Sequence, residues 1–156
     1  MKINIGIGDK QREGVAKILN ALLADEFLLY VKTRRFHWNV VGPHFSELHK
    51  FFEGQYEALD EVVDEVAERA RAVDSIAAGS MQEFLRLTRL EENAEQSPDA
   101  NAMLAALLND HEALVRNLRE DLATAAELGD AGTNDFLTGL MEQHEKTAWM
   151  LRAYLR

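Results

Sequence analysis

Residues 45–73, FSELHKFFEGQYEALDEVVDEVAERARAV, carry the pattern that decides the fold. Phe45, Leu48, Phe52, Tyr56, Leu59, Val63, Val66, Ala70 and Val73 recur at steps of three and four, the repeat of one face of an α-helix. No glycine or proline beyond Gly54 interrupts the run. Upstream, the Gly42-Pro43 pair separates it from a second helical stretch in which Val15, Ile18, Leu19, Leu22, Leu23, Phe27, Leu29 and Tyr30 keep the same spacing to about Trp38, with Asp9 as its expected cap.

Downstream, residues 74–96 contain Ala77-Ala78-Gly79-Ser80, a short amphipathic piece from Met81 to Leu87 and an acidic run, and read as a long crossover holding one small helix. Ser97-Pro98 then opens a third long helix, with serine as cap and proline at the first helical position, running to about Leu128. Gly129-Asp130-Ala131-Gly132 ends it. Thr133 is the expected cap of a fourth, which continues to the C-terminus through Phe136, Leu137, Leu140, Met141, Trp149, Leu151 and Leu155. The expected fold is all-α: a ferritin-like four-helix bundle with short connections inside each helix pair and a short extra helix in the long crossover between the pairs. Residues 1–156 read as one domain that begins with a short tail over residues 1–8.

Composition sets limits on function. The chain has 156 residues, 47% of them hydrophobic, which suffices for one core. Its formal net charge of −10 favours cationic partners over nucleic acid or anionic lipid. No cysteine is present, which excludes disulfides, thiolate metal sites and cysteine catalysis. Neither a secretory leader nor a membrane span is visible, so a soluble cytoplasmic protein is expected.

Of the five histidines, His37, His44, His49, His111 and His144, two gain weight from their neighbours. His49 and Glu53 stand four apart, hence on one helix face, and Asp64 and Glu68 repeat that arrangement further along. Mixed imidazole and carboxylate donors suit a first-row metal, iron being the natural candidate. From Glu53 to Asp64 the helix turns through about three turns plus roughly 20°, so both pairs look the same way, about 16 Å apart. That is too far to share a metal within one chain. An antiparallel two-fold neighbour would join the two halves into complete sites, with His37, across the Gly42-Pro43 turn, as a further ligand. A solvated acidic face, to which Glu57, Asp60, Glu61 and Glu65 also belong, is the competing reading. No histidine has a glutamate three residues before it, so the Glu-x-x-His di-iron site of other bundles is not encoded.

The segment Phe36-His37-Trp38-Asn39-Val40-Val41-Gly42-Pro43-His44-Phe45-Ser46-Glu47-Leu48-His49, followed by Asp64-Glu65-Val66-Ala67-Glu68-Arg69, closely resembles the Dps family, mini-ferritins named as DNA-binding proteins from starved cells. By that resemblance His37, His49 and Glu53 of one subunit, with Asp64 and Glu68 of the partner subunit, form the ferroxidase centre of a hollow dodecamer. The family often has aspartate where this chain has Glu53, a reach longer by one methylene. Trp38 matches a tryptophan beside the centre, which either takes up an oxidising equivalent or packs the interface. The implied activity is oxidation of Fe(II), with hydrogen peroxide preferred to dioxygen, and storage of the ferric mineral as protection against oxidative damage. Glu127, Asp130 and Asp135 resemble acidic residues lining the family's three-fold pores, although a turn and a helix start would also explain the two aspartates. The alternative function is DNA binding and nucleoid compaction. The family's strong DNA binders use a lysine-rich tail, whereas only Lys2, Lys10 and Arg12 occur here, and weak or absent DNA binding is expected.

Overall fold

The computed structural model describes residues 3–94 and 98–156, and among them every regular element is helical. The chain forms α1 (Asp9–Asn39), α2 (Phe45–Ala72), α3 (Met81–Leu87), α4 (Ala100–Glu127) and α5 (Ala131–Tyr154). α1 packs on α2 and α4 on α5 as two hairpins, and α3 lies across α1 within the crossover. The all-α bundle expected from the apolar repeat, with its small helix at Met81–Leu87, is therefore what forms.

The core repeats are filled as their periods require. Val15, Leu19, Leu22 and Leu29 of α1, Phe52 and Val66 of α2, Leu107, Leu114 and Leu118 of α4, and Leu137 and Leu151 of α5 are fully buried. Three residues counted with those stripes, Phe45, Trp149 and Leu155, lie exposed instead, because each sits near a helix end or off the inward arc.

Helix ends depart from the sequence reading at three points. Gly8 precedes α1, and Asp9 is its first residue, ion-paired to Arg12 at 2.6 Å rather than capping. Asp99 caps α4 by accepting from the Ala102 N–H at 2.8 Å. Pro98 therefore stands before the helix, and Ser97 lies outside the described residues. Asp130, not Thr133, caps α5: its carboxylate accepts both the Thr133 N–H and the Thr133 hydroxyl. An aspartate carboxylate reaches the third N–H of the helix and carries charge that complements the helix dipole, which gives it the advantage over a neighbouring threonine. Just before it, Gly129 takes φ +77 and closes α4, with its N–H on Ala126 O and the Asp130 N–H on Ala125 O, the double bond of a Schellman turn.

Charged side chains hold the crossover against α1. Arg89 bridges Asp25 of α1 and Asp121 of α4 at 2.8 and 2.9 Å, and Thr88 adds a bond to Asp25. Burial pushes both aspartates above the ordinary carboxylate range against the pull of Arg89. Lys32, almost fully buried, donates to Asp110 and to Glu91 O. Phe27 stacks on Phe84 of α3 at 4.3 Å. Breaking one of these buried pairs leaves a bare charge and costs about 3–5 kcal/mol.

Candidate metal centre

His37 occupies the last turn of α1, where backbone carbonyls run out of helical partners. Past a five-residue turn, residues 40–44, in which Gly42 takes φ +118, α2 begins and carries His49 in its second turn. This short reversal brings the two rings face to face, with centroids 3.7 Å apart and planes 23° from parallel. His37 Nδ1–H donates to His49 O at 2.7 Å, and His49 Nδ1–H donates to His37 O at 2.8 Å. A carbonyl can only accept, so the hydrogen-bond pattern assigns the proton of each neutral ring to Nδ1. Both Nε2 atoms are left as lone pairs, the form in which imidazole binds a metal.

The surroundings stiffen this pair. His37 is buried and meets the edge of the Tyr56 ring, while Phe45 lies against His49. The Arg34 guanidinium sits 4.5 Å from the Tyr56 ring centre and 5.8 Å from that of Trp38. Trp38 itself is 65% exposed, a large indole on the open surface beside the histidines.

Among the carboxylates, Glu53 is half-buried one turn beyond His49, and Asp64 and Glu68 are exposed further along α2. No hydrogen bond or ion pair within the described residues occupies any of the three. Nor do the described residues of one chain contain a group of three or more His, Asp or Glu side chains placed to hold a metal ion. The histidines and the Asp64/Glu68 pair are thus two separate donor sets on one chain.

The three acidic residues near the α4–α5 turn differ from one another. Glu127 and Asp135 are exposed. Asp130 is 2% exposed and held by Arg69 at 2.9 Å as well as by Thr133. Burial pulls its carboxyl upward, but Thr133 and Arg69 outweigh that and keep it below the ordinary carboxylate range.

A second buried cluster escaped the sequence reading. Glu26 of α1, His144 of α5 and His111 of α4 form one string: His144 Nε2 lies 2.8 Å from Glu26 Oε1, and the two Nδ1 atoms lie 2.8 Å apart. The signal was present in the register. His111 falls between Leu107 and Leu114, and His144 between Leu140 and Leu151, both on apolar stripes where a polar side chain needs an internal partner. Burial, with His144 beside it, holds the His111 imidazole well below the usual histidine range.

Known proteins share this architecture. The ferritin-like domain family matches residues 16–156. An uncharacterised low-temperature-induced protein of Nostoc is 51% identical over 155 residues, covering 99% of this chain and 87% of that protein. DNA protection during starvation protein 2 of Bacillus anthracis is 36% identical, covering 90% of this chain and 96% of that one. Among solved structures, the Dps protein of Vibrio cholerae, described as a member of a broad superfamily of ferritin-like diiron-carboxylate proteins, superposes with a TM-score of 0.93 at 33% identity, covering 100% and 98% of the two chains. With the helix order, the paired histidines and these likenesses together, the chain belongs to the Dps family of ferritin-like proteins.

Proposed function

We propose that this chain is the subunit of a cytoplasmic iron-oxidising, iron-storing dodecamer whose ferroxidase centres lie at two-fold interfaces. The observation that carries the reading is the reciprocal histidine pair, which leaves two unprotonated Nε2 atoms and an uncommitted Glu53 at one end of α2. Asp64 of the partner subunit and Glu68 of the partner subunit would complete the ligand set. Fe(II) is the substrate: imidazole and carboxylate together suit a first-row metal, and carboxylates stabilise the ferric product as charge accumulates. Hydrogen peroxide, the preferred oxidant, takes one electron from each of two Fe(II) ions, its O–O bond breaks, and protons from solvent yield water. The ferric ions pass to a mineral core. Both reagents of hydroxyl-radical chemistry are consumed, which is the protective role. Exposed Glu127 and Asp135 would line the entry route and draw cations inward.

Complementation between two inactive variants tests the shared site. His37→Ala/His49→Ala in one variant and Asp64→Ala/Glu68→Ala in another should each abolish rapid Fe(II) oxidation, followed spectroscopically with peroxide and with dioxygen. Co-assembly should restore about a quarter of wild-type sites, since random pairing makes about half the dimers mixed and one of the two sites in each mixed dimer is intact. No recovery in assemblies shown by mass to contain both variants would sink the intersubunit reading.

A further inference from the structure

Between α2 and α5 lies a groove of about 340 Å³, within the size range of sites for small organic ligands. Phe51, Leu59, Val62 and Met150 make its walls largely apolar. Its most deeply buried polar lining comes from His111, His144 and Gln55. His111 Nε2 and both amide atoms of Gln55 are buried with no hydrogen-bond partner among the described residues. Leaving such atoms bare is unfavourable, so the groove is built for an occupant that can pair with them.

The string behind the groove defines what that occupant must offer. A Glu26 carboxylate accepts from His144 Nε2–H, so neutral His144 presents a bare Nδ1. His111 Nδ1–H donates to it at 2.8 Å. A neutral imidazole has one N–H, and His111 has spent it, so His111 Nε2 is an acceptor. The Gln55 amide supplies donors to the same groove. An acceptor and a donor against apolar walls match a hydroxyl on an aromatic ring. A carboxylate would set its lone pairs against that of His111, and a hydrocarbon would leave both groups unpaired. One imidazole and one amide are too few donors for a metal ion.

We propose that this groove binds a small phenol, its O–H donating to His111 Nε2, its oxygen accepting from the Gln55 amide, and its ring against Phe51 and Met150. The site stands apart from the histidine pair of the metal centre and does not depend on the ferroxidase reading.

Calorimetric titration of the assembled protein at pH 8 with phenol, and separately with anisole, tests it. Anisole has the same ring and an oxygen acceptor but no O–H. Phenol should bind saturably, up to one per chain, and anisole about tenfold more weakly. Gln55→Leu should weaken phenol and anisole alike, by about the same factor, because each loses the amide donor to its oxygen. Ala58→Trp, which sets a bulky ring at an exposed groove-lining position of α2, should remove binding of both. Equal affinity for phenol and anisole would overturn the proposal, as would the absence of saturable phenol binding up to about 10 mM, which would leave water as the only occupant. Undiminished phenol binding by a folded Ala58→Trp assembly would overturn it too.

Discussion

His37 and His49 each donate their Nδ1–H to the other's backbone carbonyl and stack face to face, so each ring is both a candidate ligand and part of the packing that orients its neighbour. Removing one ring therefore damages two. Asparagine places its side-chain nitrogen near Nδ1 and has nothing at Nε2, so it separates the two roles. His37→Asn should keep the thermal midpoint within about 2 °C of wild type yet slow Fe(II) oxidation about 100-fold. His37→Ala should lose the same activity and lower the midpoint further, because the ring's hydrogen bond to His49 O and its stacking on His49 both go with it. Equal melting of the two variants would mean that the clamp contributes nothing.

The acidic residues at the α4–α5 turn should divide into a structural one and two exposed ones. Asp130→Ala removes a cap and leaves Arg69 without its carboxylate, and should destabilise the protein by about 2–4 kcal/mol. Glu127→Gln/Asp135→Asn should leave stability unchanged within about 0.5 kcal/mol. The second variant should nevertheless take up Fe(II) several-fold more slowly, and the difference should shrink as salt screens the charges. Stopped-flow uptake at two ionic strengths, with calorimetry on the same samples, distinguishes them.

Acid should weaken the bundle through His111. Its folded pKa lies below the unfolded value of about 6.5, so its stabilising contribution is complete above that pH and is lost as pH falls below it toward the folded pKa. Each fully linked pH unit is worth about 1.4 kcal/mol. Asp25, Asp110 and Asp121 act in the opposite sense, since burial raises their folded pKa values and their protonation favours the folded chain. Comparing wild type with His111→Phe between pH 7.5 and 5.5 separates the His111 contribution from those of the carboxylates and the other histidines. The wild-type midpoint should fall by several degrees over that interval, and that of His111→Phe by much less. Parallel curves would contradict this assignment.

DNA should be retained weakly or not at all at neutral pH and physiological salt, despite the names of the relatives. Each chain carries −10, and a multi-subunit shell of such chains repels phosphate. A gel-shift assay checks it, and a tight complex under those conditions would refute the expectation. Binding that appears only at acidic pH or with bridging Mg²⁺ would agree with the charge argument.

What this sequence determined by itself is what a helix determines locally. Apolar residues at steps of three and four, broken at Gly42-Pro43 and at Gly129, were enough to place four long helices and the small one at Met81–Leu87. The same rigid geometry put His49 with Glu53, and Asp64 with Glu68, on one side of α2 at a distance no single metal spans. Tertiary structure decided whatever depends on how each helix is turned toward its neighbours. The reversal after α1 is tight enough for His37 and His49 to exchange hydrogen bonds with each other's carbonyls, which residue spacing does not specify. Asp130 is buried because Arg69, some sixty positions earlier, reaches it from the end of α2. Glu26, His111 and His144 become one string only when α1, α4 and α5 pack around a common axis. Periodicity fixes which residues share a face, but the rotation of that face about its axis is chosen by the fit of all the side chains in the core at once.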